Sequence, residues 1–414
     1  MQLLNLNNGE QKPFKIREIV SEKRLTAYFQ PVVSVSRKMI CGFEGLVRGI
    51  NILTNELIPP MDLFNNAQEE GLVIELDRAC RDVVIKSFAN LYGENSNMLL
   101  FLNIDASIID FVGGSNYLIE QVNRYGISPA NIVIEVKETI VQDTMALKKF
   151  IDSYRKFGFL IALDDVGSGF SNLDRIPLAK PDIIKIDLSL VRNIHTNYYK
   201  QEVFKSLVSL ANSIGALVIA EGVEIEQEAM EVLKIGGHMI QGYYFSKPKA
   251  FCSMQDIMDR LDILSNSYKM FINKWIKAER QKHKQLNLVV NNAIEELSKL
   301  KSDGFNEKLS IIACSNNIIQ CIYVLDENGI QISDTICFCC KDGGKENLIF
   351  YSARMGTDHS MKMFYYNLVN AKLRKHITDP YVSLATGNIC ITYSKIFTNV
   401  DNKEYILCID FFDM

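Results

Sequence analysis

The sequence predicts two domains, the larger a closed α/β barrel and the smaller an α+β domain. Its 414 residues exceed what one hydrophobic core usually organises. Between Leu25 and Pro248, short runs rich in Val, Ile and Phe alternate with longer stretches at helical period, which is typical of a parallel sheet with covering helices. Eight such runs indicate a (β/α)8 barrel, whose functional residues lie at the carboxyl ends of the strands.

The first two predicted strands are separated only by residues around Ser36, Arg37 and Lys38. This connection is too short for a crossover helix, so we expect the first strand to run antiparallel to the second. The eight predicted strands are AYFQPVVSV, MICGFEGLV, NMLLFLNID, NIVIEV, FLIALDDV, DIIKID, ALVIAEGV and HMIQGYYF.

The chain changes character after the barrel. Residues 254–300 contain neither Gly nor Pro and repeat apolar residues at helical spacing, which predicts one or two connecting helices with Trp275 packed in a core. From Ser302, IIQCIYVLDENGIQIS predicts two strands joined by a turn, MKMFYYNLVNAKLRKHI a helix, and NICITYSKIF and EYILCIDFF two more strands. The predicted domains are therefore residues 1–253, 254–301 and 302–414.

Composition narrows the classes of function. Charged residues make up 23% of the chain and the formal net charge is −4, which argues against a surface that holds polymer DNA or RNA. The amino terminus has no secretory pattern and no run of roughly 20 apolar residues occurs, so we expect a cytoplasmic protein without a membrane span.

The ten cysteines fit reduced thiols better than a disulfide framework. Cys337, Cys339 and Cys340 are interpreted as strand thiols, with a metal-ligand set as the alternative.

Polar side chains close, or nearly close, most of the predicted strands. Any one acidic residue in such a place could simply cap the following helix. As a set they are more informative, because the carboxyl ends of all the strands of a barrel meet at one mouth. These residues are Glu44, Asn103, Glu135, Asp164, Asp165, Lys185, Glu221 and Gln241.

Five of these residues are acidic, and at one mouth they would repel one another unless cations neutralised them. Carboxylate and amide oxygens favour Mg²⁺ or Mn²⁺ over zinc. Asp164 and Asp165 are adjacent, and where the strand breaks into the loop at Gly167 both could turn toward the mouth. One would then bridge two ions that act together on a phosphodiester. Lys185 could contact the nucleophilic water or the phosphate; alternatively it is a structural partner of Asp187 or Asp164.

Motifs along the barrel resemble, in the same order, those of EAL-domain phosphodiesterases. The motifs are EGLVRG (44–49), LNID around Asn103, EVKET (135–139), LDDVGSGFSNL (163–173), KID (185–187), AEGVE (220–224) and QGYYFSKP (241–248). The resemblance spans the barrel, a little over half of the chain. It implies a TIM-like barrel that hydrolyses the cyclic dinucleotide c-di-GMP to linear pGpG with Mg²⁺ or Mn²⁺ and is inhibited by Ca²⁺.

The resemblance also implies roles for individual residues. The implied metal ligands are Glu44, Asn103, Glu135, Asp164 and Asp165, with Glu221 as a ligand or general base. Lys185 would position the water, Glu138 would anchor the loop after the paired aspartates, and Glu224 and Gln241 would support the site. Gln30, Arg48 and Gln241 are the expected substrate-binding residues, and Arg48 is suited to bind a phosphate as a charged fork.

Some positions depart from the usual family pattern without removing a metal ligand: Gly45 replaces alanine, Gly49 an aromatic residue, Val166 a phenylalanine and Ser168 a threonine. Gly45 is expected to loosen the backbone beside Glu44, and Gly49 to weaken substrate packing. The alternatives to an active enzyme of this family are a catalytically inactive c-di-GMP receptor and a barrel enzyme for another phosphodiester.

The last domain resembles PAS- or Cache-like sensor modules, through its strand, DENG turn and strand and through the segment DPYVSLATGNICITYSK. This resemblance implies a regulatory domain with a small-molecule ligand, or one that holds a homodimer together.

Overall fold

The computed structural model describes residues 14–93, 97–104, 116–137, 144–168, 173–250, 252–337 and 349–412. The chain divides into two compact units, Met1–Asn273 and Lys274–Met414, each with its own hydrophobic core. Glu138, Cys339 and Cys340, which the sequence analysis singled out, lie outside the described residues.

The first unit is a closed barrel of eight strands, as predicted. β1 pairs with both β2 and β9 and closes the ring β1-β9-β8-β7-β6-β5-β4-β2, and the short β3 extends the sheet beside β2. β1 is antiparallel to both of its neighbours. The other neighbouring pairs of the ring, from β2–β4 to β8–β9, are parallel. The strands are β1 (Leu25–Ser34), β2 (Met39–Ile50), β3 (Leu57–Ile58), β4 (Leu99–Asn103), β5 (Ile132–Lys137), β6 (Leu160–Val166), β7 (Ile183–Ile186), β8 (Leu217–Ala220) and β9 (Met239–Gln241).

Amphipathic helices alternate with the strands in the described ranges of this unit. In the helix Thr144–Lys156, Leu147, Phe150 and Ile151 recur at the spacing of one helical face and are buried in the core, because a helix covers a sheet through one apolar stripe. The helices are α1 (Ile16–Ser21), α2 (Pro60–Glu70), α3 (Val73–Tyr92), α4 (Tyr117–Arg124), α5 (Thr144–Lys156), α6 (Arg175–Ala179), α7 (Leu188–Val191), α8 (Tyr198–Ile214) and α9 (Glu226–Ile235), with 3₁₀ turns at Pro129–Asn131 and Ile194–Thr196.

The segment after the barrel is the single helix α10 (Met254–Leu297), and the division between the two units falls within it. Trp275 is 44% exposed, so the expectation that it packs in a core is wrong for this chain. Within the described ranges, no helix has the length and apolarity needed to cross a membrane.

The second unit is built on a six-stranded antiparallel sheet. Its order is β11-β10-β15-β14-β12, with β13 beside β14. The strands are β10 (Ile319–Leu325), β11 (Ile336–Cys337), β12 (Lys375–Ile377), β13 (Tyr381–Val382), β14 (Ile389–Thr398) and β15 (Glu404–Phe412). Helix α11 (Phe305–Ser315) follows a 3₁₀ turn at Ser302–Gly304, and helix α12 (Met363–Asn370) precedes β12.

Two local predictions for this unit need correction. The strand after the DENG turn is interrupted: Gln331 forms an isolated bridge with Leu325 of β10, and regular pairing with β10 resumes only at β11. Between them the backbone of Gln331 also bonds to Gly356 and Thr357. The helix predicted to run to Ile377 ends at Asn370, because the residues from Lys375 form strand β12 with β14.

Candidate active site

The barrel interior contains two successive layers of side chains. The lower layer is apolar and comprises Val32, Phe101, Val133, Ala162, Ile183, Ile219 and Met239, one from each of seven strands. Two positions further along each parallel strand, or just past its end, stand Asn103, Glu135, Asp164, Lys185, Glu221 and Gln241. Because side chains alternate along a strand, a step of two keeps them on the interior face. The polar layer therefore sits directly above an apolar floor, at the mouth.

The antiparallel direction of β1 explains the place of Gln30. On this strand the mouth lies toward the amino end, so Gln30 stands two positions before the floor residue Val32. Gln30 is the direct register partner of Glu44 on β2. Its amide oxygen accepts a hydrogen bond from Gln241 Nε2 at 3.1 Å, and its own Nε2 donates to the Ser246 carbonyl at 3.2 Å.

Glu44 is held by amide side chains on either side. Asn103 Nδ2 donates to Glu44 Oε1 at 2.9 Å, and Gln241 Nε2 donates to Glu44 Oε2. Glu44 is 9% exposed. These two amides therefore orient the carboxylate of Glu44 toward the centre of the mouth.

Lys185 is the cation at the centre of the polar layer. Its Nζ lies 2.6 Å from Glu135 Oε1, 2.6 Å from Glu221 Oε1, 3.1 Å from Asp164 Oδ1 and 3.8 Å from Glu44 Oε2. The side chain is 1% exposed. Asp187, the other suggested partner, instead accepts a hydrogen bond from Ser189 N and caps α7. Lys185 thus joins carboxylates from four different strands.

Burial and charge act together on the ionisation of these groups. Burial raises the pKa of Glu135 well above its ordinary value, although Lys185 opposes the change. Burial likewise raises the pKa of Glu221 to about 8, again against the effect of Lys185. Burial alone would lower the pKa of Lys185, but the carboxylates of Asp164, Glu135 and Glu221 outweigh it and raise the pKa well above its ordinary range. The site contains more negative charge than one ammonium group neutralises.

The paired aspartates reach the same mouth through a bulge inside β6. The register of β6 against β7 shifts between Leu163 and Val166, and Asp165 has a left-handed φ of 57°. A bulge inserts a residue and re-aims the side chains beside it. The sequence analysis predicted that both aspartates turn toward the mouth where the strand ends in the loop at Gly167. In the structure β6 continues to Val166, beyond the bulge.

Three carboxylates gather where the bulge occurs. One oxygen each from Asp164, Asp165 and Glu221 lies within 4.8 Å of the other two. Nearby, Glu135 Oε2 is buried and has no hydrogen-bond partner among the described residues. A buried carboxylate oxygen without a donor is costly unless a cation contacts it. The all-oxygen donor set fits a hard divalent cation such as Mg²⁺ or Mn²⁺.

The loop from Glu221 to Glu224 depends on two residues that the sequence analysis did not single out. Gly222 has a φ of 66°, and a Cβ there would lie 2.4 Å from Leu188 Cβ. Glu228 is buried and accepts hydrogen bonds from Glu224 N at 3.0 Å and from Asn193 N at 2.8 Å. A glutamate near the start of a helix, directly after a strand-end motif, is the signal that would have revealed this anchor.

The mouth opens into a cavity of about 780 Å³. The predicted residues Gln30, Glu44, Asn103, Asp164, Asp165, Lys185, Glu221, Glu224 and Gln241 line it. The analysis did not anticipate the outer wall, which includes Phe64, Tyr243 and the buried ion pair Asp77–Arg81. The i, i+4 spacing of that pair is visible in the sequence, but many surface pairs share it.

Arg48 is not among the residues that line the cavity. It is half-buried, its guanidinium carbon lies 5.6 Å from the centre of the Tyr28 ring, and Nη1 donates to the Val47 carbonyl at 2.7 Å. A contact between Arg48 and substrate therefore requires a rotation of this side chain.

Gly45 is closely packed, contrary to the expectation of a looser backbone. A Cβ at this position would lie 2.2 Å from Val84 Cγ1 of α3, whereas Leu100 Cδ1 would be at an ordinary 3.4 Å. We expect Gly45→Ala to reduce the free energy of unfolding by about 1–3 kcal/mol because the methyl group overpacks this contact. Urea denaturation followed by circular dichroism measures the change.

Val84→Ala provides the matched test, because it removes the atom that the new methyl group would meet. In a double-mutant cycle, the loss of unfolding free energy in the double variant should be smaller than the sum of the losses in the two single variants by at least about 1 kcal/mol. Additive effects would show that contact with Val84 is not what disfavours alanine at position 45.

The chain is similar to known proteins in sequence and in fold. The profile of the EAL domain matches residues 15–248. YkuI of Bacillus subtilis (strain 168), an uncharacterized EAL-domain containing protein, is 27% identical over 385 residues, which cover 89% of this chain and 90% of YkuI. The crystal structure of YkuI in complex with substrate c-di-GMP and calcium aligns with 96% of this chain and 98% of its own, at a TM-score of 0.79 and 25% identity.

Two other relatives match a little over half of this chain. The cyclic di-GMP phosphodiesterase PdeR of Escherichia coli (strain K12) is 29% identical over 235 residues, 56% of this chain and 35% of PdeR. The manganese/cy-diGMP complex of Klebsiella pneumoniae BlrP1 at pH 6 has a TM-score of 0.50 and 27% identity, over 55% of this chain and 56% of BlrP1. This chain thus spans about a third of PdeR and just over half of BlrP1.

Proposed function

This chain belongs to the EAL domain family, and we propose that it is a cyclic-di-GMP-specific phosphodiesterase that hydrolyses c-di-GMP to linear pGpG. The observation that carries the proposal is the cluster of Asp164, Asp165 and Glu221 beside Lys185, at the mouth of the cavity. The choice of substrate is supported by the complexes of YkuI and BlrP1 with c-di-GMP. It is also supported by the similarity to PdeR, a cyclic di-GMP phosphodiesterase.

The carboxylates of the polar layer, together with Glu44 and Asp165, form an acidic layer. This acidic layer would hold two divalent cations, Mg²⁺ or Mn²⁺. Glu44, Asn103, Glu135 and Asp164 would hold one ion, and Asp165 the second, with Glu221 as a further ligand. When bound, such a pair lowers the pKa of a water and neutralises charge on the attacking and leaving oxygens at phosphorus. Calcium accompanies c-di-GMP in the YkuI crystal and manganese in that of BlrP1. We propose that Ca²⁺ binds this site without supporting turnover.

The protein's own groups orient the reaction. Lys185 would donate a hydrogen bond to the attacking water in place of one of the contacts that its Nζ makes with the carboxylates of Glu135, Glu221 and Asp164. Glu221, whose Oε1 lies 2.6 Å from Lys185 Nζ, is the candidate general base for that water. Gln241 and Asn103 keep Glu44 oriented, and Glu228 anchors the loop that carries Glu221 and Glu224.

Substrate would occupy the cavity with its scissile phosphate above the acidic layer. Gln30 and Gln241 present amides there, and Arg48 would bind a phosphate after it leaves the Tyr28 ring. We propose that Glu138 anchors the loop after Asp165, as its motif implies.

Metal dependence tests the proposal directly. The intact chain, treated with EDTA and dialysed, is incubated with c-di-GMP alone, with Mn²⁺ and with Ca²⁺, and pGpG is measured by chromatography. We expect product with Mn²⁺ and a loss of at least about 100-fold without it, because the acidic layer then lacks its cations. With Ca²⁺, product should remain near the metal-free level.

The two alternatives predict different results in the same assay. An inactive receptor would bind c-di-GMP, seen by calorimetry, but form no pGpG under any metal condition. An enzyme for another phosphodiester would cleave a glycerophosphodiester faster than c-di-GMP. Either result would overturn the proposed function.

We also propose that residues 302–414 form a PAS- or Cache-like regulatory domain with a small-molecule ligand, joined by residues 254–301 to the catalytic residues 1–253. The antiparallel sheet with α11 and α12, and the alignment with YkuI along nearly the whole chain, support this organisation. The exposed Trp275 and Leu288 on α10 support a homodimer, and the free cysteines of the described residues support a cytoplasmic location.

A further inference from the structure

The second unit contains two thiols in direct contact. Cys321 on β10 and Cys337 on β11 are register partners in an antiparallel pair. Their sulfur atoms are 2.7 Å apart, closer than two sulfur atoms in ordinary contact. Both side chains are free thiols.

The register of the two strands suits a covalent bond between these sulfurs. Residues directly opposite each other in an antiparallel pair have Cα atoms about 4.5–5.5 Å apart. Disulfides require Cα separations of about 4.4–6.8 Å and an S–S bond of about 2.05 Å. The sulfurs of Cys321 and Cys337 therefore need to approach by only a fraction of an ångström, without a change of backbone register.

The two cysteines differ in access and in acidity. Cys321 lies on an interior strand and is 0% exposed, whereas Cys337 lies on the edge strand β11 and is half-buried. The hydrogen bond from Cys321 lowers the pKa of Cys337, and that same bond, together with burial, raises the pKa of Cys321. Cys337 is thus the thiol that a reagent from solution reaches first, and Cys321 is the thiol beside it.

We propose that Cys321 and Cys337 form a redox-modification site, at which a hydroperoxide produces a reversible disulfide. The Cys337 thiol releases its proton and its sulfur attacks one peroxide oxygen. The O–O bond breaks and the departing hydroxide takes up that proton, so a sulfenic acid and water form from hydrogen peroxide. Cys321 sulfur then attacks the Cys337 sulfur, and the hydroxyl group leaves with the Cys321 proton as a second water. Two thiols are oxidised by two electrons and one peroxide is reduced, so the step is balanced. The site is independent of the catalytic proposal.

Peptide mapping of the intact chain tests the site. Protein exposed to stoichiometric hydrogen peroxide is blocked with N-ethylmaleimide and digested with chymotrypsin, which cleaves after Tyr323 and Phe338 and so separates Cys337 from Cys339. We expect a Cys321–Cys337 crosslinked peptide as the main oxidised product, and its loss after dithiothreitol with the recovery of two thiols. Oxidation of Cys337 to a sulfinic acid without a crosslink would overturn the proposal, as would a main crosslink to Cys339 or Cys340.

Variants separate this pair from the other thiols. Cys337→Ser should abolish the crosslink, whereas Cys314→Ser, which removes an exposed thiol on α11, should leave its yield unchanged. The double variant Cys339→Ser/Cys340→Ser should also retain it. The wild-type map does not depend on the folding of any variant, so a failure of Cys337→Ser to fold would still leave the proposal open to refutation.

Discussion

Replacing Asp165 with asparagine is expected to lower c-di-GMP turnover by about 1000-fold or more while the barrel stays folded. Asp165 is one of three carboxylates gathered at the bulge of β6, and it is the ligand assigned to the second cation. Loss of an ion that stabilises charge at phosphorus costs several kcal/mol in the transition state, and about 4 kcal/mol corresponds to a factor of 1000. Turnover is measured as pGpG formed at saturating Mn²⁺.

Asparagine is the appropriate replacement because Asp165 has a φ of 57°, a left-handed conformation that asparagine tolerates and alanine does not. The matched control is Asp152→Asn, the same chemical change on the exposed face of α5, which should leave turnover unchanged. Manganese titration should show fewer bound ions for Asp165→Asn than for the control. Wild-type turnover in Asp165→Asn would refute the assignment of this residue to the site.

Replacing Lys185 with methionine is expected to affect both stability and turnover. Lys185 is the shared cation of four carboxylates and is almost completely buried. Removing one partner of a buried ion pair leaves uncompensated charge and costs about 3–5 kcal/mol. In EDTA, we therefore expect a reduction of the free energy of unfolding by about this amount, measured by urea denaturation. Mn²⁺ should restore part of it, because cations then neutralise the same carboxylates.

A second substitution tests the electrostatic role of Lys185 in stability. In Lys185→Met/Glu135→Gln one positive and one negative group are removed together, so stability in EDTA should recover toward that of the wild type, while turnover should remain at least about 100-fold reduced. Lys149→Met, on the exposed side of α5, is the surface control. If the double variant regained turnover, the proposed contact of Lys185 with water and the assignment of Glu135 as a metal ligand would both be wrong.

The barrel and the composition of its mouth were predictable because both depend on local patterns. Apolar runs of strand length that alternate with helical periods specify a closed barrel, and the step of two residues from Val133 to Glu135 or from Ile183 to Lys185 places polar groups just above an apolar floor. The order of the motifs indicated the family before any contact was known. In the second unit, β14 and β15 follow the predicted strand runs for the same reason.

The contacts between remote residues were decided only by the tertiary structure. Closure of the barrel sets which side chains meet, so the four carboxylates around Lys185 and the place of Arg48 beside Tyr28 depend on the register of strands far apart in sequence. The bulge at Asp165 and the packing of Val84 against Gly45 likewise leave no periodic signal. The sequence by itself determined which residue types reach the mouth, because alternation is local, whereas strand register and helix packing determined which of them touch.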